Sequence, residues 1–300
     1  MLKIAWSRIY RHPLPENHRF PMIKYDLIPE QLIYEGTITS SNLFEPHPLE
    51  ADWILTTHSA DYWHKLQSLD LSKQEERRIG FPLSNTLVNR EIVIANGTIK
   101  AAKFALEYGV SMNVAGGTHH AFRDRGEGFC LLNDIAIAAN YLLETRMASN
   151  ILIVDLDVHQ GNGTASIFQD NESIFTFSMH GRNNYPLKKE KSDLDIELED
   201  GVGDQIYLDL LEKNLNLIGE SFKPDFIFFQ SGVDVLESDK LGRLRLSMGG
   251  CKSRDAQVIS YCKANQIPLV ITMGGGYSPK WRDLLEAHAN TFRTVQDTFF

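Results

Sequence analysis

The run Ile151-Leu152-Ile153-Val154-Asp155-Leu156-Asp157-Val158-His159 passes directly from apolar residues to polar ones. Its first four residues are Ile, Leu and Val, a composition that predicts a buried strand. Three similar apolar runs, at residues 111–115, 225–230 and 268–273, are each followed at once by a short polar motif. In open α/β sheets, ligands bind beyond the carboxyl ends of the strands. The four motifs are therefore expected to line one pocket.

These motifs carry side chains that are typical of a metal-dependent hydrolase. Two aspartates, three histidines and one tyrosine can face a ligand from four separate places in the chain. The motifs are Gly116-Gly117-Thr118-His119-His120, Asp155-Leu156-Asp157-Val158-His159, Ser231-Gly232-Val233-Asp234 and Gly274-Gly275-Gly276-Tyr277.

Alternating strand-like and helix-period segments predict a mainly parallel sheet covered by helices. Periodicity alone leaves an open sheet and a closed barrel as alternatives, because both place their sites at strand carboxyl ends. The charge-rich residues 186–203 are expected to form an exposed loop without chemistry. The predicted strands are residues 2–6, 52–56, 111–115, 150–155, 173–179, 225–230 and 268–273; the predicted helices are residues 21–34, 59–66, 87–108, 131–143, 204–217, 250–264 and 279–292.

Composition limits the class of protein. The 300 residues, 43% of them hydrophobic, contain no obvious linker, so one domain spanning residues 1–300 is predicted. A net charge of −9 argues against a nucleic-acid partner. No apolar run approaches the roughly 20 residues that span a bilayer, and the first residues do not resemble a signal peptide. Three cysteines without metal or redox spacing then favour a cytoplasmic protein with reduced thiols.

Asp157 and His159 form the core of a candidate metal site. Residues i and i+2 of an extended segment point to the same side, so both can reach one ion. Asp234, at the end of another strand, can supply a third ligand. Two carboxylates and one imidazole suit Zn²⁺ or Fe²⁺ and leave positions open for water and substrate. The alternative is an acidic pair at a strand end beside a core histidine.

His119 and His120 are candidate proton-transfer groups after a Gly-Gly turn. Each imidazole needs a partner that fixes its tautomer. Asp155 is a natural partner for one, and Asn162 could orient the other. Tyr277, on a glycine turn, can donate its hydroxyl to a developing oxyanion. The alternatives are a structural histidine pair and a surface aromatic on a glycine-rich turn.

Three longer runs resemble the histone deacetylase superfamily, which has the arginase/deacetylase fold. They are residues 116–121, 126–134 and 155–164. Residues 232–243 look like the class IV branch and related bacterial proteins. Ureohydrolases of the same fold carry an extra Asp two residues after the ligand His; here that position is Gly161, which argues against a binuclear manganese site. The resemblance implies a three-layer α/β/α sandwich.

The resemblance also implies roles for individual residues. The zinc ligands are Asp157, His159 and Asp234, and Asp155 orients His119. His120, with Asn162 beside it, is the general base, and Tyr277 polarises the acyl carbonyl. For the substrate tunnel, Gly128 and Phe129 form one wall, Tyr185 the opposite wall, and Arg19 lies beneath the pocket facing the released acid. An inner potassium site comprises Asp155, Asp157, His159, Ser178 and Met179, and a second one Phe168, Asn171 and Ile174.

Two positions depart from the family pattern. Asn162 stands where many relatives have Asp, which predicts a lower pKa for His120. Tyr185 stands where Phe is usual, which makes the tunnel wall more polar. The chain also lacks the long early insertion associated with acetylpolyamine deacetylases.

The expected activity is metal-dependent removal of acetyl or longer acyl groups from the ε-amine of lysine in a protein or peptide. One alternative within enzymes is a small-molecule substrate such as an acetylpolyamine. Another, from a different class, is a non-catalytic scaffold that binds acyl-lysine. No sequence feature fixes the oligomeric state.

Overall fold

The computed structural model describes residues 1–16 and 18–300. Its strands join into one parallel sheet of eight strands within those residues, with the order β2-β1-β3-β8-β7-β4-β5-β6. The end strands do not pair with each other, so the sheet is open rather than a barrel. The strands are β1 (Lys3–Ala5), β2 (Leu43–Phe44), β3 (Val110–Asn113), β4 (Ile151–Asp155), β5 (Ile174–Gly181), β6 (Leu194–Leu198), β7 (Phe226–Gln230) and β8 (Leu269–Thr272).

Helices cover both faces of this sheet in two separate groups. One contains α2, α3, α5, α6 and α7, and the other contains α1, α8, α9 and α10; the helices of each group contact one another, most closely α5 with α6 and α9 with α10. The predicted three-layer α/β/α fold is therefore confirmed. The helices are α1 (Lys24–Tyr34), α2 (Ala51–Leu55), α3 (Ala60–Ser68), α4 (Lys73–Ile79), α5 (Asn85–Tyr108), α6 (Asp134–Glu144), α7 (Asn162–Phe168), α8 (Asp204–Phe222), α9 (Met248–Asn265) and α10 (Trp281–Phe299).

The central strands are apolar along their whole length because both of their faces are covered. Every residue of β4, with the sequence ILIVD, is buried, as is every residue of β7, with the sequence FIFFQ. Asp155, the last residue of β4, lies opposite Gln230 on β7 and Ser178 on β5. The polar residues therefore begin at the same level on adjacent strands.

Helix α5 shows how local sequence directs the chain into the site. The Ser84 side chain accepts the N–H of Leu87 and caps the amino end of the helix. Gly109, with φ of 86°, ends the helix in the left-handed conformation. The chain then enters β3 directly, and the Gly-Gly motif follows the carboxyl end of that strand.

Two secondary-structure predictions are wrong. Residues 52–56, predicted as a strand, lie mostly in the short helix α2, where Asp52 lies near the positive amino end and only Ile54 is buried. Residues 186–203, predicted as a loop, contain β6, the edge strand that pairs with β5. The alternation in the β6 sequence LDIEL is typical of a strand, but the charged residues around it hid that signal.

Two further observations bear on the sequence-based expectations. Cys130, Cys251 and Cys262 are all free and buried. None of the helices within the described part of the chain is both long and apolar enough to cross a membrane.

Candidate active site

The four polar motifs meet at one edge of the sheet. They follow β3, β4, β7 and β8, which are neighbours in the order β3-β8-β7-β4. Because all four strands run in the same direction, their carboxyl ends are adjacent. The predicted metal ligands, the two histidines and the tyrosine are thereby brought together.

Asp157, His159 and Asp234 place three potential ligand atoms within 4.8 Å of one another. Nδ1 of His159 lies 3.0 Å from Oδ1 of Asp157 and 3.2 Å from Oδ2 of Asp234. A zinc ion with bonds of about 2.0–2.2 Å in tetrahedral geometry separates its ligand atoms by about 3.3–3.6 Å. The spacing of the three side chains therefore fits a divalent ion.

The electrostatics of this cluster also fit a cation. Asp234 is fully buried, and its Oδ2 makes no hydrogen bond of normal geometry to the described residues. Burial, together with the charge of Asp157, raises the pKa of Asp234 to about 7. Burial alone would lower the pKa of His159, but the adjacent carboxylates of Asp157 and Asp234 raise it to about 10. The two buried carboxylates thus favour a positive charge at this position, and a bound divalent ion would replace the proton that they otherwise hold on His159.

The glycine loop after β8 closes around the same carboxylates. The N–H of Gly275 donates to Oδ2 of Asp157 at 2.9 Å. A Cβ at position 275 would collide with the carboxylates of Asp157 and Asp234. Glycine is required here because the backbone passes so close to the ligands.

His119 and His120 lie with their ring centres 4.0 Å apart but have different partners. Nδ1 of His119 donates to Oδ2 of Asp155 at 2.7 Å. Nδ1 of His120 lies 2.6 Å from Oδ1 of Asn162, and donation to that oxygen leaves Nε2 of His120 as the basic nitrogen. Both orienting partners are those that the sequence suggested.

The two partners give the histidines opposite pKa shifts. Burial lowers the pKa of His119, but the charges of Asp155 and Asp157 outweigh it, so the net shift is upward. Burial and the neighbouring charges of His119 and His159 hold the pKa of His120 well below its usual range. At neutral pH, His120 is therefore the neutral imidazole of the pair.

Tyr277 is held at the pocket by its backbone. Its N–H donates to Oδ2 of Asp239 at 2.6 Å, while Oδ1 of Asp239 accepts the N–H groups of Leu241 and Gly242. Burial and the charges of Asp234 and Asp157 hold the pKa of Tyr277 well above its usual value. The phenol therefore stays protonated and can act as a hydrogen-bond donor.

The pocket opens through a mouth of about 460 Å³. Gly128 and Phe129 line one side and Tyr185 lies at the other, as the resemblance implied. The hydroxyl of Tyr185 donates to Oε2 of Glu127 at 2.7 Å, which links the two sides. The ring of Tyr185 lies 5.0 Å from that of His120, edge to face. His120, His159 and Tyr277 line the same opening, so the mouth leads to the metal cluster.

Comparison with known protein families agrees with this geometry. The model of the histone deacetylase domain matches residues 18–293, which is most of the chain. The chain belongs to the histone deacetylase family. This assigns it to the deacetylase class of hydrolases.

Individual family members are similar over most of the chain. A protein of Picosynechococcus sp., described as uncharacterized, is 42% identical over 99% of both chains. Histone deacetylase 2 of Arabidopsis thaliana is 30% identical over 87% of this chain and 70% of its own. The crystal structure of an HDAC homolog from Aquifex aeolicus has a TM-score of 0.83 at 24% identity, covering 99% of this chain and 84% of that chain, which shows the shared fold.

One placement implied by the family resemblance is wrong for this deacetylase family member. Arg19 was expected beneath the pocket, but it is exposed at the mouth, where its guanidinium lies 4.9 Å from the ring centre of Phe129. The loop before α1 carries it over the outer face of that ring. The buried guanidinium that lines the inner cavity is Arg90 on α5, which donates from Nε to the carbonyl of Tyr10 at 2.6 Å.

Two of the five residues expected at the inner potassium site line one small cavity beside β4. Asp155 and Ser178 are paired across β4 and β5, and both line a cavity of about 10 Å³. Met179 is the next residue of β5 and is buried. Asp157 and His159 follow Asp155 on the same segment but, like Met179, are not among the residues that line this cavity. The inner potassium site therefore stays a prediction.

Phe168, Asn171 and Ile174, expected at a second potassium site, occupy the turn between α7 and β5. The N–H of Asn171 donates to the carbonyl of Phe168 at 2.9 Å, and the N–H of Ile174 to that of Asn171 at 3.1 Å. The carbonyls of Phe168 and Asn171 both accept hydrogen bonds within this turn, and the second potassium site stays a prediction.

Two charged residues that support the site were missed. Lys24, fully buried at the start of α1, donates from Nζ to the carbonyl of Gly274 at 3.0 Å. Arg254 of α9 donates to the carbonyls of Leu156 and Gly232 and joins two of the polar motifs. The position of Lys24 within the apolar run of residues 20–25 was a sequence signal for its burial. The sequence contains no such signal for Arg254, because charged residues in helices are usually exposed.

Proposed function

We propose that this chain is a zinc-dependent lysine deacylase that removes acetyl or longer acyl groups from the ε-amine of lysine in proteins or peptides. The observation that carries the proposal is one pocket containing a buried Asp-His-Asp cluster, a neutral imidazole and a protonated phenol. Each element has a place in amide hydrolysis, and a site that only bound acyl-lysine would need neither the imidazole nor the phenol.

A divalent ion held by Asp157, His159 and Asp234 would supply Lewis acidity at the acyl carbonyl. His120 is the group placed to take a proton from the attacking water at Nε2, since Asn162 occupies its Nδ1. The low pKa of His120 keeps this nitrogen unprotonated at neutral pH.

His119 and Tyr277 both favour the negative charge that develops at the acyl carbonyl. Asp155 and Asp157 favour the protonated form of His119, which places a positive charge beside the reacting centre and a proton for the departing amine. Tyr277 donates its hydroxyl to the carbonyl oxygen as negative charge develops there. The family resemblance implies the same role for Tyr277 and the same pairing of His119 with Asp155.

The mouth supports a lysine side chain as the substrate. Phe129 and Tyr185 both line the mouth, and their rings offer apolar surface to the methylene groups of a lysine stem. The run at residues 232–243 supports membership of the class IV branch. The acidic chain and its buried free thiols support a cytoplasmic location, and the oxygen-lined positions near Asp155 and Phe168 support structural potassium.

The test is hydrolysis of a panel of peptides by the zinc-loaded protein. The peptides share one sequence with a single modified lysine, which carries an acetyl, a butyryl or a myristoyl group. N-acetylputrescine is added to represent small amines. We expect turnover of at least one acyl-lysine peptide. A chelator should abolish this turnover, and added zinc should restore it. Acyl-lysine binding without turnover would instead identify a scaffold, and preferential turnover of the acetylpolyamine would identify a small-molecule enzyme.

A further inference from the structure

The mouth of the pocket has a charge opposite to that of the molecule. The residues that line it include three arginines, Arg19, Arg78 and Arg243, and none of the lining residues in the described chain is Asp or Glu. The whole chain has a net charge of −9. Glu127 and Asp200 lie within ion-pair distance of Arg78 and Arg243, so the three arginines leave a net positive charge at the mouth of an acidic chain.

Arg19 has a fixed position and unused donors. Its guanidinium lies 4.9 Å from the ring centre of Phe129, an arrangement that cation–π attraction stabilises. It is exposed and forms no hydrogen bond or ion pair with any residue that the structure describes. The N–H groups of its guanidinium are therefore available to an acceptor at the mouth.

Arg78 is fixed to the tunnel wall through its backbone. The carbonyl of Arg78 accepts the N–H of Gly128 at 3.0 Å. The carbonyl of the next residue, Ile79, accepts the N–H of Phe129 at 2.6 Å. Nε of Arg78 lies 3.9 Å from Oε1 of Glu127, beyond normal hydrogen-bond distance, and that oxygen accepts a hydrogen bond from Nε of Arg125 instead. The guanidinium of Arg78 therefore makes no hydrogen bond to the described residues.

Arg243 approaches from the other side. The backbone N–H of Arg243 donates to Oδ1 of Asn184 at 3.3 Å, which positions Arg243 near Tyr185, the next residue after Asn184. Its guanidinium donates to Asp200 at 3.1 Å, but both side chains are largely exposed, so this surface pair is weak. The three arginines thus come from three separate segments and surround the entrance.

We propose that these arginines select acyl-lysine substrates with acidic residues beside the modified lysine. The inference rests on the proposed lysine deacylase function. When a lysine stem lies between Phe129 and Tyr185, the peptide on either side of it crosses the mouth, where carboxylates meet the guanidiniums. Arg pairs well with carboxylates because its planar fork offers two parallel donors. A lysine-rich or arginine-rich segment is repelled at the same place.

The expected selectivity follows from the energies of exposed ion pairs. Each contributes a factor of about two, so three pairs together favour an acidic peptide about tenfold in kcat/KM over one with neutral flanks. Raising the salt concentration from about 0.1 M to about 1 M shortens the screening length from about 10 Å to about 3 Å. The preference should therefore shrink at high salt.

The experiment compares three capped peptides of equal length with one acetyl-lysine and Glu, Ser or Lys at the two positions on each side. Free Nε-acetyl-lysine forms a fourth arm because its own α-carboxylate could reach the arginines. We expect the order Glu, Ser, Lys in kcat/KM, carried mainly by KM, with free Nε-acetyl-lysine far below the Glu peptide. Equal values for the three peptides, or the reverse order, would overturn the proposal, and efficient turnover of the free amino acid would overturn its assignment to peptides.

Variants then connect the preference to these side chains. The triple substitution Arg19→Gln, Arg78→Gln and Arg243→Gln should bring the Glu-to-Lys ratio close to one. Arg77→Gln is the matched control, since it removes one exposed arginine from the same helix as Arg78 without changing the mouth. Retention of the full ratio by the triple variant would contradict the proposal.

Binding separates this proposal from the deacylase function itself. Fluorescence anisotropy with labelled Glu and Lys peptides and the Tyr277→Phe variant measures selectivity without turnover. If no peptide is hydrolysed by the zinc-loaded protein, the deacylase function fails. Tighter binding of the Glu peptide would still support an acid-selecting mouth, whereas equal binding would reject it.

Discussion

At the scale of single residues, the two adjacent imidazoles differ because their partners differ. A carboxylate holds His119, and an amide oxygen holds His120, at 2.7 and 2.6 Å. A carboxylate favours the protonated form of an imidazole, while a neutral amide adds no charge. The pKa shifts of the two rings therefore have opposite directions, which suits one for accepting a proton and the other for carrying one.

The Asn162→Asp variant tests this division. A carboxylate in place of the amide raises the pKa of His120, which must be neutral to act as a base. Activity is lost as the pH falls through that pKa, so the acidic limb of the kcat/KM profile should move to higher pH while the zinc content stays the same. An unmoved limb would show that His120 is not the group that titrates there.

The Tyr277→Phe variant tests the oxyanion donor. The ring is kept and only the hydroxyl is removed, so kcat should fall by about 10²–10³. Metal analysis should show the same zinc content as the unsubstituted protein. Tyr34→Phe is a suitable control because the side chain of Tyr34 is 94% exposed. Equal turnover by the Tyr277 variant and this control would exclude the proposed role.

Residue types at strand ends made much of the site predictable. Asp157 and His159 directly follow an apolar run, so the period of an extended strand is enough to predict that both point to one side. Arg19 was misplaced because a resemblance fixes a residue's order along the chain but not the path of the loop that carries it. The arginine found in the inner cavity, Arg90, lies on a long helix, where the sequence does not distinguish a buried charge from an exposed one.

At the scale of elements, α1 supports the glycine loop that follows β8. Nζ of Lys24 donates to the carbonyl of Gly274, and the N–H of the next residue, Gly275, donates to the proposed metal ligand Asp157. Burial lowers the pKa of Lys24 to about 8, although the charges of Asp234 and Asp157 act in the other direction. Keeping Lys24 charged in this buried position therefore lowers the free energy of unfolding.

This cost predicts a pH dependence of folding. Between about pH 8 and pH 10 the unfolded chain binds more protons at Lys24 than the folded chain, so raising the pH stabilises the fold. The free energy of unfolding of the unsubstituted protein should rise by about 2 kcal/mol relative to Lys24→Met over that range. Urea titrations of both metal-free proteins measure this difference. A difference that does not change with pH would contradict the buried, titrating lysine.

The elements that the sequence predicted correctly are those with long, uninterrupted patterns. The central strands β4 and β7 are buried on both faces and read as continuous apolar runs. Strand β6 was missed because an edge strand mixes apolar and charged residues, and residues 52–56 were assigned to a strand because an apolar run of that length has no clear period. Both errors lie away from the four strand ends that form the site.

At the scale of the whole molecule, a parallel sheet explains why distant residues share one pocket. Four neighbouring strands end at the same edge, so one architectural feature gathers ligands, base and oxyanion donor from positions 119 to 277. The mouth above them carries three arginines on an acidic protein. In our proposal, the base of the pocket carries out the chemistry and the mouth selects the peptide.

The most direct test of this account measures zinc content and deacetylation together in the unsubstituted protein and in Asp157→Ala. We expect about one zinc ion per unsubstituted chain, hydrolysis of an acetyl-lysine peptide that exhaustive chelation abolishes and added zinc restores, and loss of both properties in the variant. Full activity after exhaustive chelation, or full activity of the variant, would contradict the assignment of Asp157, His159 and Asp234 as the catalytic metal site.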